Sequence, residues 1–290
     1  MALFKRQTSG SVVCTSCGSL VGVRDDRCLS CGRRNPGLWG FAPLLRSLGN
    51  DLGFVQLVIW GCGALYLASL LLSGGNIGFG GGNLFGILSP SGPSMFLLGA
   101  SGSLPVFVYH RWWTVLSAGW LHGSLLHIVF NMMWVRDLGP AVADVFGAGR
   151  MVIVYTVAGA CGFLLSSVAS VYLPPIPFLR GAQFTLGASA SIFGLLGALV
   201  YYGRRTGSHL VRSTALRYAI IMGVFGLLMP GIDNFAHAGG FAGGYMAAAL
   251  LDPLRPERID HIVMALICLA LTAIAIAASV ITGMGLLLQQ

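Results

Sequence analysis

Two side chains of complementary chemistry, Ser189 and His237, lie near the beginnings of two apolar segments. A serine hydroxyl is a weak nucleophile that needs an adjacent base, and histidine is the usual base because its pKa lies near neutrality. Ser189 stands in the sequence Gly-Ala-Ser-Ala, directly before a long apolar run. This position predicts a helix N-terminus, where free backbone N–H groups can stabilise an oxyanion. Taken singly, Ser189 could be a packing residue and His237 a satisfied buried histidine.

A second set of polar residues lies earlier in the chain, where His127 and Asn131 are spaced four apart and therefore share one face of a helix. Both side chains can donate hydrogen bonds, which suits an oxyanion hole; the alternative is a structural hydrogen bond between helices. His122 precedes them in the same apolar segment. Strongly polar residues are costly inside a bilayer, so all three are candidate functional residues.

Four cysteines near the N-terminus form two Cys-x-x-Cys motifs, each followed by glycine: Cys14 with Cys17, and Cys28 with Cys31. Four thiolates at this spacing can hold one tetrahedral metal ion, and the pattern resembles a small zinc ribbon at about residues 12–34. We expect structural Zn²⁺ there, which would supply folding energy and leave no coordination position open for catalysis. The ribbon could bind a cytosolic protein partner or order the N-terminus. The alternative is a disordered tail with reactive thiols.

The elements that position these residues must be helices in a lipid bilayer. Of the 290 residues, 56% are hydrophobic and only 9% are charged, whereas a soluble domain carries roughly 25% charged residues. The mean hydropathy is +0.80. The formal charge of +8 is distributed between long apolar stretches, and no basic face of a soluble domain is evident. A nucleic-acid partner is therefore not expected.

Seven apolar segments follow a polar N-terminal region of residues 1–50. A helix that crosses a bilayer needs about 20 residues, with a range of about 17–25, and the fourth and fifth segments are short by that measure. We interpret the pattern as an all-α polytopic membrane protein with seven spans. The segments are residues 54–73, 115–135, 151–173, 186–203, 215–230, 233–251 and 261–287.

The distribution of positive charge predicts the orientation of these spans. With a cytosolic N-terminus, 15 of the 17 Lys and Arg residues fall on the inner side and only Arg111 and Arg180 fall outside. Such a bias is a strong positive-inside signal and places the C-terminus outside. The second, fourth and sixth spans then run inward, so His127, Ser189 and His237 all lie in the outer half of the bilayer. Their agreement in side and depth favours a single site.

Three stretches, in this order, resemble the motifs of the rhomboid family of intramembrane serine proteases: Leu121–Met132, Gly187–Ser189 and Ala236–Gly240. The resemblance covers roughly residues 54–251. It implies a six-helix core, and residues 261–287 resemble the extra C-terminal helix of one subgroup. We therefore expect a cytosolic N-terminal region (1–50), a catalytic core (51–252), and a linker with a seventh helix (253–290).

The same resemblance implies roles for the polar residues. Ser189 and His237 would form a catalytic dyad, and His127 and Asn131 would line the oxyanion hole together with backbone N–H groups near Ser189. His122 would support the site. Catalysis would need no metal or cofactor, and the substrates would be transmembrane proteins cleaved near the outer side of the bilayer.

Two positions depart from the family pattern. Ala190 stands where the nucleophile motif usually has glycine, and Thr114 follows Trp113 where the family often has arginine, a residue implied to brace the first external loop. A competing Gly-Ala-Ser-Gly sequence contains Ser101, but Pro105 follows it and no span begins there. Asp233, one turn before His237, either caps the sixth span or orients His237; we favour the cap.

These observations predict an intramembrane serine endopeptidase in a bacterial plasma membrane. The presence of both Ser189 and His237 favours this function. The alternative is a catalytically weak or inactive rhomboid-like pseudoprotease that binds membrane clients, which the departures at Ala190 and Thr114 leave open. A solute transporter is disfavoured because the sequence shows no clear internal repeat.

Overall fold

The N-terminal region forms a small β-ribbon. The computed structural model describes residues 6–15, 17–80, 86–174, 180–229 and 231–287. Strands β1 (Ser11–Val13) and β2 (Leu20–Gly22) pair antiparallel, with Val12 opposite Val21. These two valines are buried in one cluster with the Cys14 and Cys28 side chains. Residues 1–5 of the predicted N-terminal region and residue 230 of the predicted fifth span lie outside the described residues.

Among the described residues, seven long helices follow the ribbon and correspond to the seven predicted segments, as expected for an all-α polytopic membrane protein. Within the described ranges, α2, α6, α8 and α10 are long and apolar enough to cross a membrane. The other three long helices, α5, α7 and α9, carry the candidate catalytic residues. In chain order the helices are α1 (Ala42–Ser47), α2 (Phe54–Ser73), α3 (Gly92–Leu98), α4 (Thr114–Ser117), α5 (Leu125–Phe146), α6 (Ala148–Tyr172), α7 (Ser189–Thr206), α8 (His209–Leu228), α9 (Asn234–Leu251) and α10 (Ile259–Leu287).

The prediction that the second span begins at residue 115 is wrong, because α5 begins ten residues later, at Leu125. The backbone at Leu121 and Ser124 is extended, and the Ser124 hydroxyl caps α5 by accepting a hydrogen bond from the His127 N–H. Apolar residues before this break form α4 and a 3₁₀ turn instead. His122 therefore precedes the helix, and His127 lies in its first turn rather than a dozen residues into a span.

Helix α7 is surrounded by other helices; it packs most extensively against α9 and also lies against α6 and α8. Small residues permit this close approach: a Cβ at Gly194 would collide with Ala158 of α6, and one at Gly244 of α9 would collide with the Gly194 backbone. Helices α7 and α9 thus pack against each other through small residues. Such packing suits a bilayer, where helices associate through close van der Waals contact.

The long connection between α2 and α5 folds over the beginning of α7. It contains a short hairpin of β3 (Gly78–Phe79) and β4 (Ile87–Ser89), then α3, a π-helical turn at Leu104–Val108, and α4. The connection is bound to the segment that precedes Ser189, because residues 101 and 185 form an antiparallel bridge. The residues just before α7, 180–188, are thus bound to a part of the chain outside α7.

Candidate active site and metal centre

The structure brings Ser189 and His237 into direct contact. Ser189 is the first residue of α7, and His237 lies in the first turn of α9. The distance between Ser189 Oγ and His237 Nε2 is 2.9 Å, and the His237 side chain is 8% exposed. With Nε2 unprotonated, the serine hydroxyl donates to the imidazole. This geometry is the one that a serine needs to lose its proton on attack.

The imidazole plane of His237 is fixed by an aromatic ring. Phe193 stacks on His237 with a centroid distance of 4.2 Å and an interplanar angle of 16°. Phe193 lies four residues after Ser189, so both occupy one face of α7. Sequence reasoning did not identify Phe193, although its spacing from Ser189 was an available signal.

Asp233 acts as a helix cap, as favoured from the sequence. Its Oδ1 accepts a hydrogen bond from the Ala236 N–H at 3.0 Å, and its Oδ2 accepts one from the Ser166 hydroxyl of α6 at 2.5 Å. Both carboxylate oxygens are therefore engaged away from the imidazole. In the described chain, His237 Nδ1 is buried and has no hydrogen-bond partner. Ser189 and His237 therefore pair without a carboxylate on the imidazole, and Phe193 stacks on the ring.

His127 approaches the nucleophile from the first turn of α5. The Gly123 N–H donates to His127 Nδ1 at 3.3 Å, which places the proton of a neutral imidazole on Nε2. That edge of the ring faces Gly187: a Cβ on Gly187 would lie 2.7 Å from His127 Cε1 and Nε2, and 3.8 Å from Ser189 Oγ. An Nε2–H donor beside the nucleophile is the chemistry of an oxyanion hole.

Asn131 and His122 lie behind His127. The Asn131 amide donates to the His127 carbonyl oxygen at 2.8 Å and so bonds within its own helix. His122 is fully buried, with its ring centroid 5.1 Å from that of His127 in an edge-on contact. In this structure both residues contact His127, and neither forms a hydrogen bond with Ser189 within the described residues.

The departure at position 190 is accommodated by helix packing. Ala190 is fully buried, and its methyl group lies against Gly162 of α6, where an added Cβ would be 2.8 Å away. A Cβ at Gly240 of α9 would collide with the Ala190 backbone. The extra methyl group therefore occupies the interface between α6, α7 and α9.

The competing serine, Ser101, is buried and held by hydrogen bonds. It is fully buried, and its backbone pairs with Thr185 through N–H to O distances of 2.9 and 2.8 Å. Its hydroxyl accepts a hydrogen bond from the Thr114 hydroxyl at 3.3 Å. No imidazole forms a hydrogen bond with Ser101 among the residues that the structure describes, so it lacks the base that a nucleophile needs.

The four N-terminal cysteines converge in one cluster. Their sulfur atoms all lie within 4.8 Å of one another, with 3.8 Å between Cys14 and Cys31 and 3.6 Å between Cys17 and Cys28. A zinc ion with Zn–S bonds of about 2.3 Å separates its sulfurs by about 3.8 Å, whereas a disulfide requires about 2.05 Å. The cluster therefore fits a metal ion and excludes disulfides between these pairs.

The backbone of the two motifs is built alike, as metal-binding knuckles require. The N–H of Gly18 donates to the Cys14 carbonyl oxygen, and the N–H of Gly32 donates to that of Cys28. Both glycines have left-handed backbone angles, with φ of 77° and 72°. Each turn thus presents its two sulfurs on the same side.

Hydrogen bonding favours the thiolate form of Cys17 but not that of Cys31. Hydrogen bonds of the Cys17 sulfur with the Ser19 side chain and backbone lower the pKa of Cys17 to about 6. The Arg33 backbone N–H lowers the pKa of Cys31, but burial and the neighbouring thiols outweigh it and raise that pKa to about 11. A bound cation would favour the thiolate form of all four, because metals bind the deprotonated ligand.

Comparison with known proteins agrees with this architecture. The rhomboid domain model matches residues 109–254, which include all five candidate residues of the membrane site. A rhomboid protease of Bacillus subtilis, GluP, is 35% identical over 144 residues, covering 49% of this chain and 26% of that protein. RHOMBOID-like protein 4 of Arabidopsis thaliana is 31% identical over 169 residues, covering 57% of this chain and 40% of that protein.

A third relative carries a different functional name. Inactive RHOMBOID-like protein 8 of Arabidopsis thaliana is 28% identical over 160 residues, covering 53% of this chain and 42% of that protein. The chain thus spans less than half the length of each of these three relatives. Because one relative is named a protease and another is named inactive, similarity alone does not decide whether this chain is active. The geometry at Ser189 and His237 is the evidence that bears on this question.

Proposed function

Since the chain belongs to the rhomboid family, we propose that it is an intramembrane serine endopeptidase that cleaves transmembrane proteins near the outer side of the bilayer. The observation that carries the proposal is the 2.9 Å contact between Ser189 Oγ and His237 Nε2. Rhomboid proteins are intramembrane serine proteases as a family, and the finer assignment rests on this contact.

The reaction follows from the positions of three side chains. His237 Nε2 takes the Ser189 proton as Oγ attacks the substrate carbonyl carbon. The resulting oxyanion would be stabilised by the His127 Nε2–H and by the free N–H groups at the beginning of α7. His237 then gives its proton to the leaving amine, and the C–N bond breaks. Water, activated by the same imidazole, hydrolyses the acyl-enzyme and returns Ser189 to its hydroxyl form.

We place Asn131 and His122 in supporting roles. Asn131 binds the His127 backbone carbonyl, and His122 packs against the His127 ring. Both would hold His127 in the orientation in which Nε2–H faces the substrate. The catalytic core would comprise residues 51–252, preceded by the cytosolic region and followed by the linker and α10.

The protein would lie in the plasma membrane with a cytosolic N-terminus and an external C-terminus. The bias of Lys and Arg between the connections supports this orientation. A reporter that is active only outside the cytosol, fused after α10, should be active. An inactive reporter there, together with an active one at the N-terminus, would show that the orientation is the opposite of the proposed one.

Cys14, Cys17, Cys28 and Cys31 would hold one structural zinc ion. The sulfur distances and the paired turns support this proposal. Zinc would supply folding energy to a unit whose buried cluster is small. A cytosolic protein partner for the ribbon remains a prediction, which affinity capture with the intact chain and a ribbon-deleted chain would test.

The decisive experiment is cleavage of a transmembrane substrate in reconstituted bilayers by the native chain, Ser189→Ala and Ser101→Ala. Ser101 is the matched control, because it lies in a nucleophile-like sequence but has no base. We expect Ser189→Ala alone to abolish cleavage. Equal loss in both variants would disprove the assignment of the nucleophile.

The alternative function is that of an inactive member that binds membrane clients. The relative named as inactive makes this alternative concrete. It predicts no cleavage by the native chain across several substrates and no reaction of Ser189 with a fluorophosphonate. It also predicts that Ser189→Ala leaves client capture unchanged.

A further inference from the structure

A buried arginine joins the long outer connection to the last helix. Arg111 lies just before α4 and is only 1% exposed. Its Nη1 donates to the Phe96 carbonyl oxygen at 2.8 Å, and its Nη2 donates to the Ser279 carbonyl oxygen of α10 at 2.6 Å. No carboxylate forms an ion pair with it in the described ranges. The charge is instead stabilised by carbonyl dipoles and by the Phe96 ring, 4.3 Å below.

Arg111 keeps its charge in this environment. Burial lowers its pKa to about 10, so the guanidinium is protonated at neutral pH. A buried charge is costly unless its donors are satisfied. The contact between α10 and the outer connection is therefore strongly directional, because moving either carbonyl away leaves a buried charge without its acceptors.

Ser279 is the point where α10 meets the connection. Its side chain is fully buried, and its hydroxyl accepts a hydrogen bond from the Trp113 indole at 3.2 Å. Gly99, which has a φ of 104°, lies so close that an added Cβ would be 2.5 Å from the Ser279 hydroxyl. The Ser117 hydroxyl binds the Gly99 carbonyl oxygen at 2.8 Å. α3, α4 and α10 are thus joined within a few ångströms.

The same connection forms the hydrogen bonds that hold residues 180–188. The Gly187 N–H donates to the Ala118 carbonyl oxygen at 2.9 Å, one residue beyond α4. Ser101 and Thr185 exchange two backbone hydrogen bonds, and Thr114 binds both Ser101 and the Arg111 carbonyl oxygen. Residues 180–188 form no helix or long strand of their own. Their conformation is set by what they bind.

We propose that α10 is a positioning element for Ser189, acting through Arg111 and the outer connection on the backbone at Thr185 and Gly187. The inference rests on the proposed protease function for its catalytic consequence but not for its structural one. When the outer end of α10 separates from Arg111, the connection loosens, and residues 180–188 lose the hydrogen bonds that fix their conformation. Ser189 then leaves its alignment with His237.

The connection that leads into the inner end of α10 (252–258) is secured independently, which confines this effect to the outer end. Arg150, buried at the beginning of α6, donates from Nη1 to the Asp252 carbonyl oxygen and from Nη2 to that of Arg255, both at 2.7 Å. Glu257 accepts a hydrogen bond from the Arg150 N–H at 3.0 Å. α10 therefore remains attached to the bundle when its outer contacts are perturbed.

Two glycines on α10 provide a matched pair of perturbations. A Cβ at Gly283 would lie 3.0 Å from Leu97 of α3, so Gly283→Leu should push the outer end of α10 away from α3. Gly285 has no atom within 4 Å of its Cβ position, so Gly285→Leu is the control for helix propensity and added surface. Arg111→Lys is the second variant, which keeps the charge but cannot reach both carbonyl oxygens.

The test measures hydrogen exchange and cleavage in lipid nanodiscs with the full chain. In a Ser189→Ala background, Gly283→Leu and Arg111→Lys should speed amide exchange in residues 180–189 by about tenfold or more, and Gly285→Leu should not. In the active background the same two variants should lower kcat by about 10- to 100-fold with little change in KM, because misalignment acts on the chemical step.

The exchange result decides the inference without reference to activity. Unchanged exchange in residues 180–189 in both Gly283→Leu and Arg111→Lys would overturn it, as would an equal effect in Gly285→Leu. If the native chain fails to cleave any substrate but the exchange pattern appears, the proposed function fails while the positioning role stands.

Discussion

The proposed oxyanion site needs a glycine at position 187, because a side chain there would collide with His127. Its φ of 125° is a region that L-residues rarely adopt, and an added Cβ would lie 2.7 Å from His127 Nε2. Gly187→Ala therefore has two effects: it strains the backbone just before Ser189, and it displaces the His127 ring. The first is a stability effect, and the second is a catalytic one.

The two effects have different sizes. Holding a non-glycine residue in a disfavoured backbone region costs about 1–3 kcal/mol of folding free energy. Losing one oxyanion donor costs about 10²–10³ in kcat in serine hydrolases. We expect Gly187→Ala to unfold at a moderately lower temperature and to cleave at least about a hundredfold more slowly.

A matched variant separates strain from displacement. Gly207, at the opposite end of α7, has a φ of 74° and no atom within 4 Å of its Cβ position. Gly207→Ala should lose about 1–2 kcal/mol of stability through its left-handed backbone and keep its cleavage rate. Cleavage in reconstituted bilayers and the rate of fluorophosphonate labelling of Ser189 are the assays, with thermal unfolding measured alongside.

A double-mutant cycle identifies the target of the clash. If Gly187→Ala acts by displacing His127, the double variant with His127→Ala should be no slower than His127→Ala alone, since coupled residues are not additive. Cleavage by Gly187→Ala within about threefold of the native rate would refute the assignment of His127 as the donor.

Three further changes test other contacts of the site and the ribbon. Phe193→Ala should lower kcat by about tenfold or more because the stacked ring no longer orients His237, whereas Phe193→Tyr should stay near native in single-turnover cleavage. Ser166→Ala should lose about 1–3 kcal/mol by thermal unfolding, because it removes the donor to Asp233 and the acceptor of the Ala182 N–H; Ser167→Ala, which only breaks a bond within its own helix, should lose less. Cys28→Ser should abolish the one equivalent of zinc found by native mass spectrometry, while zinc retained at full occupancy would contradict a four-cysteine site.

The sequence predicted the pairing of Ser189 with His237 because both depth and order along the chain can be read from hydropathy. It also predicted seven helices, with most bounds within a few residues; the exceptions are α5, which begins ten residues later and ends eleven residues later than predicted, and α8, which begins six residues earlier. Hydropathy failed at the beginning of α5 because Val115, Leu116 and Trp120 are as apolar as a span, although they belong to α4 and a 3₁₀ turn. The cap signal at Ser124 was the information that could have corrected this.

The contacts between the α2–α5 connection and α10 are tertiary and had no sequence signal. Thr114 stands where an arginine was expected, which suggested an unbraced loop. The structure instead places Arg111, three residues earlier, between α3 and α10, and Thr114 donates to its carbonyl oxygen at 2.7 Å. The turn at residues 109–114 places the Arg111 side chain where it can reach α3 and α10. Spacing in the sequence alone cannot reveal it.

Because α5 begins at Leu125, its N-terminus adds to the positive potential at the site. His127, Ser189 and His237 each lie in the first turn of a helix, so the N-termini of α5, α7 and α9 meet at one place. A helix N-terminus carries roughly half a positive charge and several free N–H groups. Three such ends favour the negative charge that develops on a substrate carbonyl oxygen. In the proposed mechanism, backbone dipoles of the fold would therefore help to stabilise the transition state, and surroundings of low polarity would weaken these dipoles less than water does.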